Sequence, residues 1–368
     1  MYCVSSTYLT ILLALLFPTT TWLGPPATAN DAVPKSAEAT EIELGKQIFF
    51  DKQFSANQTV SCADCHQPDK AFSDGKRVAV GVNNQAGTRN TPSLLGIGFS
   101  RSLFWDGRRH TLEQLVLDPF VSPVEHGLSN HQELIAKVRR DHNYREKFAD
   151  VYGVKPSDIG TEHIARSLAA FVRALAAGPA PFDHYYFKRK NKALSPAAAR
   201  GFALFRGRAR CTECHTVEAH DAKFTDDRFH NRGIGLNHIK HRLPELTARV
   251  VRQPRSQIDM TLRDSDLAEL GRFVVSRDPR DIGKFKTPSL RNVAKTAPYM
   301  HNGSVATLEE AVEKEIYYQG LETNRPVILT PTEKAYIVEF LEALSDETIP
   351  HAMIADRASE RPRMSSRY

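Results

Sequence analysis

Two stretches of the chain carry apolar side chains at the three-and-four spacing of an amphipathic helix: Ile164, Leu168, Phe171, Val172 and Leu175, then Ile337, Phe340, Leu341 and Leu344. The second follows Thr330-Pro331-Thr332-Glu333, which offers an N-cap, a proline at the first helical position and a capping-box carboxylate. No run of alternating strand-like positions appears, so the pattern predicts a mainly α fold. The first 30 residues differ: they contain no Asp, Glu, Lys or Arg. Their apolar run, residues 8–17, is too short for a bilayer, which needs roughly 20 residues. Followed by Ala27-Thr28-Ala29, it predicts a secretory leader, residues 1–29, cleaved after Ala29. The alternative, an uncleaved anchor, lacks a stop-transfer flank. The Arg-, Ser- and Pro-rich tail, 347–368, is predicted to be disordered.

The pattern also repeats. Gly45-Lys46-Gln47-Ile48-Phe49 has a counterpart in Gly201-Phe202-Ala203-Leu204-Phe205, and Thr91-Pro92-Ser93-Leu94 in Thr287-Pro288-Ser289-Leu290. In each copy a glycine, Gly107 or Gly303, follows 16 residues after the threonine. A helix start comes next, Thr111-Leu112-Glu113-Gln114 or Thr307-Leu308-Glu309-Glu310, with threonine as cap and Gln or Glu reaching back. The order implies two homologous helical units, 30–190 and 191–346, with the Pro179 to Lys192 stretch as the crossing. The second copy is 47 residues longer before its Thr-Pro-Ser-Leu loop. Much of that excess, 217–285, reads as polar and irregular, with a helix near Asp264 to Val275 and a solvated His238-Ile239-Lys240-His241-Arg242 face.

Composition is that of an ordinary globular chain: 368 residues, 41% hydrophobic and 25% charged. The net charge of +6 comes from 49 basic against 43 acidic residues, a mixed surface that argues against nucleic acid and leans toward acidic partners. Cysteine usage changes the picture more. Apart from Cys3 in the leader, every cysteine lies in Cys62-Ala63-Asp64-Cys65-His66 or Cys211-Thr212-Glu213-Cys214-His215. In C-x-x-C-H the two thiols form thioethers to the haem vinyls and the next imidazole becomes the proximal iron ligand. A zinc ribbon would hold its pairs about 15 to 20 residues apart, a thioredoxin-like site needs one pair and no histidine, and disulfides rarely close so short a loop. The motif predicts two c-type haems in an exported protein, with His66 and His215 as iron ligands.

These residues, with Arg89-Asn90-Thr91-Pro92, Phe104-Trp105-Asp106-Gly107-Arg108, Pro123-Val124-Glu125, Pro288-Ser289-Leu290-Arg291-Asn292 and Ala297-Pro298-Tyr299-Met300-His301, resemble the bacterial di-haem cytochrome c peroxidases and MauG-like enzymes. The likeness runs from Glu43 to about Leu344. It implies two tandem cytochrome c-like domains, an N-terminal haem that meets hydrogen peroxide and a C-terminal haem that accepts and stores electrons.

The resemblance assigns further roles. Glu125 matches the distal carboxylate that moves a proton between the peroxide oxygens, and Trp105 the tryptophan between the haems. The histidine that often caps the first iron has no counterpart in residues 74–87, which implies an open sixth position. The family's distal Gln falls at Leu115, one residue after Gln114. The peroxidases' methionine ligand falls at Ala297, which leaves Tyr299, as in MauG-like members, or Met300 for the second iron. Asn90 matches the side chain that helps bind a calcium ion between the domains, with carbonyl donors expected from about Ser276 to Arg280. Function then reads as a periplasmic peroxidase fed by a small cytochrome c or copper protein. The alternatives are a MauG-like enzyme that oxidises Tyr or Trp of a protein substrate, and a di-haem electron carrier. A homodimer is left open.

Overall fold

The computed structural model describes residues 36–346; the expected leader and C-terminal tail lie outside them. The fold is mainly helical, as the apolar spacing predicts. Each amphipathic stretch forms a helix, Thr161–Ala174 and Pro331–Glu342, and buries its stripe: Ile164, Leu168 and Phe171, like Ile337 and Phe340, are at most 1% exposed. The Thr330 box forms as expected, the threonine hydroxyl accepting from Glu333 N–H at 3.2 Å and the Glu333 carboxylate from Thr330 N–H at 2.8 Å.

Each of these helices packs on the one that precedes a cysteine pair, Ala37–Phe50 on Thr161–Ala174 and Pro196–Arg206 on Pro331–Glu342. Both crossings depend on a glycine. A methyl group on Gly45 would overlap the Ser167 carbonyl, and one on Gly201 the Tyr336 carbonyl, so only glycine lets the backbones approach this closely. Aromatic packing repeats too. Phe49 lies 5.0 Å from Phe171 and 6.5 Å from His66, centroid to centroid, while Phe205 lies 5.0 Å from Phe340 and 6.4 Å from His215.

Two hydrophobic clusters result, one spanning Leu44 to Leu175 and one Phe182 to Leu344. Between them, the short helix Pro181–Tyr186 carries Phe182, fully buried in the second cluster. The long segment of the second copy is more ordered than its polarity suggests. Ile239, Leu246, Val250, Leu262, Leu267 and Phe273 build a third cluster from short helices, including Leu243–Arg252, Ser265–Ala268 and Phe273–Ser276. Ile239 is 1% exposed, although its neighbours in the basic His238 to Arg242 run face solvent. A small antiparallel pair, Phe229–Asn231 with Lys284–Lys286, closes the base of this segment.

After the Thr111 cap the two copies diverge. The second runs on as one helix, Leu308–Thr323, whereas the first stops at Leu115 and restarts as Asp118–Val121. Pro119 lacks the N–H a continuous helix would need. The chain turns instead, and that turn carries Glu125.

Candidate haem sites and the seam between them

At the first site, Cys62 and Cys65 bracket one short helical turn that begins at Ser61, whose N–H and hydroxyl both donate to the Asp64 carboxylate at 2.8 Å. His66 follows, and its Nδ1 lies 2.9 Å from the Phe72 carbonyl. The second site repeats this, with His215 Nδ1 2.8 Å from the Phe224 carbonyl. In both, the carbonyl fixes the proton on Nδ1, which leaves the Nε2 lone pair for a metal. Burial lowers the proton affinity of both rings, that of His215 to about 4, so each is neutral near pH 7. All four thiols are free, and burial pushes Cys62, Cys65 and Cys211 up to about 12.

A cavity of about 1150 Å³ opens beside the second motif, lined by Cys211, Cys214, His215, Tyr299, Met300 and Trp105 among others. Free thiols, an oriented imidazole and a largely apolar cavity are the donor set and space that a haem requires. Burial, reinforced by Glu309 and Glu342, pushes the Tyr299 phenol up to about 12. A phenolate there needs a metal to stabilise it.

Glu125 comes to the first site. It is close enough to Cys62 and Cys65 to act on both thiols electrostatically. Its backbone is held by Val82 N–H, which donates to the Glu125 carbonyl at 2.9 Å, and by its own N–H on the Ser122 carbonyl at 3.1 Å. Gly81 allows this approach, since a side chain there would overlap the Val124 and Glu125 carbonyls. Burial raises the carboxyl to about 6; Arg108 opposes the shift, and Asp118 and Asp259 add to it. Gln114 does not join it. That residue is exposed, and its Oε1 accepts from His110 N–H at 3.2 Å at the start of the helix.

Trp105 stands at the seam between the copies. Its Nε1 donates to the Asn90 carbonyl at 2.9 Å. Asn90, 7% exposed, donates its N–H to the His301 carbonyl at 2.8 Å and its Nδ2 to the Lys76 carbonyl at 2.9 Å, which leaves Oδ1 as an acceptor. In the Ser276 to Arg280 stretch, the Ser276 carbonyl accepts from Arg255 and Asp278 pairs with Arg280.

Sequence reasoning missed three features. His126, 4% exposed, has its Nε2 3.9 Å from Cys62 Sγ, and its position next to Glu125 was the available signal. His301 lies flat on Phe285, centroids 3.5 Å apart, with Nε2 2.6 Å from Glu269 Oε2. Most informative is the offset of 196 residues that holds from the Thr-Pro-Ser-Leu loop onward, which pairs Leu103 with Tyr299 and Trp105 with His301. The structure bears out the pairing: Leu103 bridges Arg109 as Tyr299 bridges Val305, and Phe104 and Met300 share a left-handed backbone at φ 66° and 72°. Where the second copy presents a phenol, the first presents an apolar side chain.

A family model for di-haem cytochrome c peroxidases matches residues 39–192. The cytochrome-c peroxidase IdrP2 of Denitromonas iodatirespirans is 32% identical over 324 residues, 86% of this chain and 84% of its own. The methylamine utilization protein MauG of Methylorubrum extorquens is 31% identical over 330 residues, 88% of this chain and 82% of its own. The chain belongs to the di-haem cytochrome c peroxidase and MauG family. Among solved members, a MauG-like protein associated with microbial copper homeostasis superposes with a TM-score of 0.69 at 31% identity, covering 92% of this chain and 98% of that one. The diheme peroxidase BthA from Burkholderia thailandensis gives 0.66 at 25% identity over 84% and 87%. Membership makes this chain a peroxide-using oxidoreductase of the di-haem class. Among the described residues, no helix is long and apolar enough to cross a membrane.

Proposed function

We propose that this is an exported, periplasmic peroxidase of two tandem cytochrome c-like domains, one haem c thioether-linked to Cys62 and Cys65 with His66 as proximal ligand, the other to Cys211 and Cys214 with His215. When bound, the haems supply the metal at which hydrogen peroxide is reduced and the store for the electrons that reduce it. The protein groups do the rest. Glu125 takes a proton from one peroxide oxygen and returns it to the other, a task suited to a carboxyl raised to about 6. Two electrons and two protons convert each peroxide to two waters. Trp105, which lines the cavity beside the second motif and donates to the Asn90 carbonyl, carries electrons across the seam. Asn90 Oδ1 is the side-chain donor we assign to a calcium ion.

The observation that supports this reading most is the Leu103 and Tyr299 pair. We read the Tyr299 phenol as a ligand that would close one metal site, and the apolar side chain at the matching position as leaving the other to substrate. Tyr299, rather than Met300, is therefore our second-site ligand, because Met300 takes the backbone position equivalent to Phe104. The same phenol favours a MauG-like variant of the reaction, in which electrons come from Tyr or Trp of a protein substrate instead of a small cytochrome or copper protein. Steady-state turnover of reduced cytochrome c with peroxide separates the two. Fast turnover supports the peroxidase, slow turnover with a long-lived oxidised protein supports the modifying enzyme, and a protein inert to peroxide is an electron carrier.

A further inference from the structure

The segment that lengthens the second copy does more than fill its own core. Arg272 donates to the Asp106 and Gly107 carbonyls at 2.9 Å, Thr88 donates to the Leu262 carbonyl at 2.7 Å, and Arg89 reaches the Ala268 carbonyl. The same segment supplies Asp259 to a cluster of charges in the first copy. One Asp259 oxygen accepts from Arg108 Nε at 2.8 Å and the other from Arg109 Nη2 at 3.0 Å. Arg108 also pairs with buried Asp106 at 3.1 Å and lies 3.4 Å from the centroid of the Phe104 ring, while Arg109 grips Asp118 at 2.8 Å.

Asp118 opens the short helix Asp118–Val121, whose end holds the Glu125 turn: Pro119 O accepts from His126 N–H at 3.2 Å, and Ser122 O from Glu125 N–H at 3.1 Å. A continuous path of ion pairs and backbone therefore runs from Asp259 to the distal acid. We propose that Asp259 is a positioning residue for Glu125, fixing Arg108 near it and, through Arg109, the Asp118 helix that leads into its turn, from the segment that the second copy adds. This rests on Glu125 as the proton-transferring group of the first site.

The charges facing Glu125 come from four elements: Arg108 on the Trp105 loop, Asp118 on its helix, Asp259 on the helix Ile258–Thr261, and the sulfurs of Cys62 and Cys65, uncharged once bonded to haem. Asp259 raises the acid's proton affinity, and it neutralises an arginine that lowers it. Its loss therefore works in one direction, toward an ionised Glu125. The Asp259 side chain is 49% exposed, so solvent screens the effect and a shift of about half a pH unit is expected.

The test titrates the carboxylic-acid carbonyl band of Glu125 in the resting holoenzyme by infrared difference spectroscopy, the band being assigned by its absence in Glu125→Gln. Asp259→Asn should move its midpoint down from that of the parent by about half a unit. Asp259→Glu, which keeps the charge, should restore it. An unchanged midpoint in Asp259→Asn overturns the proposal, whether or not thermal stability falls. Should Glu125→Gln leave peroxide reactivity intact, the proton-transfer role fails, yet the titration still reports whether Asp259 governs the acid.

Discussion

Trp105 and His301 hold equivalent places in the two copies, and each accepts a backbone hydrogen bond from the opposite copy: Lys286 N–H donates to the Trp105 carbonyl and Asn90 N–H to the His301 carbonyl, both at 2.8 Å. The donors are equivalent as well, since Lys286 lies 196 residues after Asn90. The seam is thus a reciprocal pair built from one loop used twice. The copies differ in what each loop carries, an indole linked to Asn90 in one and an imidazole paired with Glu269 in the other.

Replacing Trp105 with Phe keeps an aromatic ring and removes the donor to the Asn90 carbonyl. The expected stability loss is about 1 kcal/mol, measured by denaturant unfolding, with slower electron transfer between the haems in stopped-flow absorbance. Unchanged transfer rates would remove Trp105 from the route.

Gly81→Ala places a methyl group against the Val124 and Glu125 carbonyls. Overpacking of this kind is destabilising by about 1–3 kcal/mol. Because the displaced backbone carries Glu125, the proposed proton-transfer group, peroxide reactivity should fall together with the melting temperature, whereas Gly87→Ala, with only ordinary contacts around the new methyl, should change neither.

The helix crossings make a matched pair of predictions. Gly45→Ala and Gly201→Ala each drive a methyl into a carbonyl of the facing helix, with Phe171 Cβ at 3.0 Å in one copy and Phe340 Cβ at 2.9 Å in the other. Both should lower the melting temperature by similar amounts. A large difference between them would show that the two packings are not equivalent.

Glu125 binds its proton more tightly in the folded protein, at about 6, than at its ordinary 4.5. Stability from this group is therefore present in acid and lost as pH rises from about 4.5 to about 6, a loss of about 2 kcal/mol at most that persists above that range. Glu125→Gln should accordingly be more stable than the parent at pH 7.5 and nearly equal to it at pH 4. Parallel melting curves at both pH values would contradict a raised Glu125 carboxyl.

What could be read from the sequence was local or periodic. Each Cys-x-x-Cys-His carries its chemistry within five residues, and each helix stripe within four turns, so both are visible in a short window. The copies' equivalence was visible too, but its most useful consequence, Leu103 opposite Tyr299, required carrying the offset beyond the matching motifs. Long-range polar contacts were not legible. Asp259 lies 151 residues from Arg108, and nothing local distinguishes it from a solvated carboxylate. The polar composition of the second copy's added segment concealed a small core for a related reason: its short helices bury few apolar residues each, and only together do they form a cluster. Gln114 was ambiguous in sequence because a one-residue step on a helix changes the face, and here it faces solvent.

Electron paramagnetic resonance of the resting ferric holoenzyme, before and after cyanide, tests the central asymmetry most directly. We expect one high-spin centre that becomes low-spin on binding cyanide and one low-spin centre that does not respond, with Tyr299→Phe altering only the second. Two low-spin centres indifferent to cyanide would contradict the account.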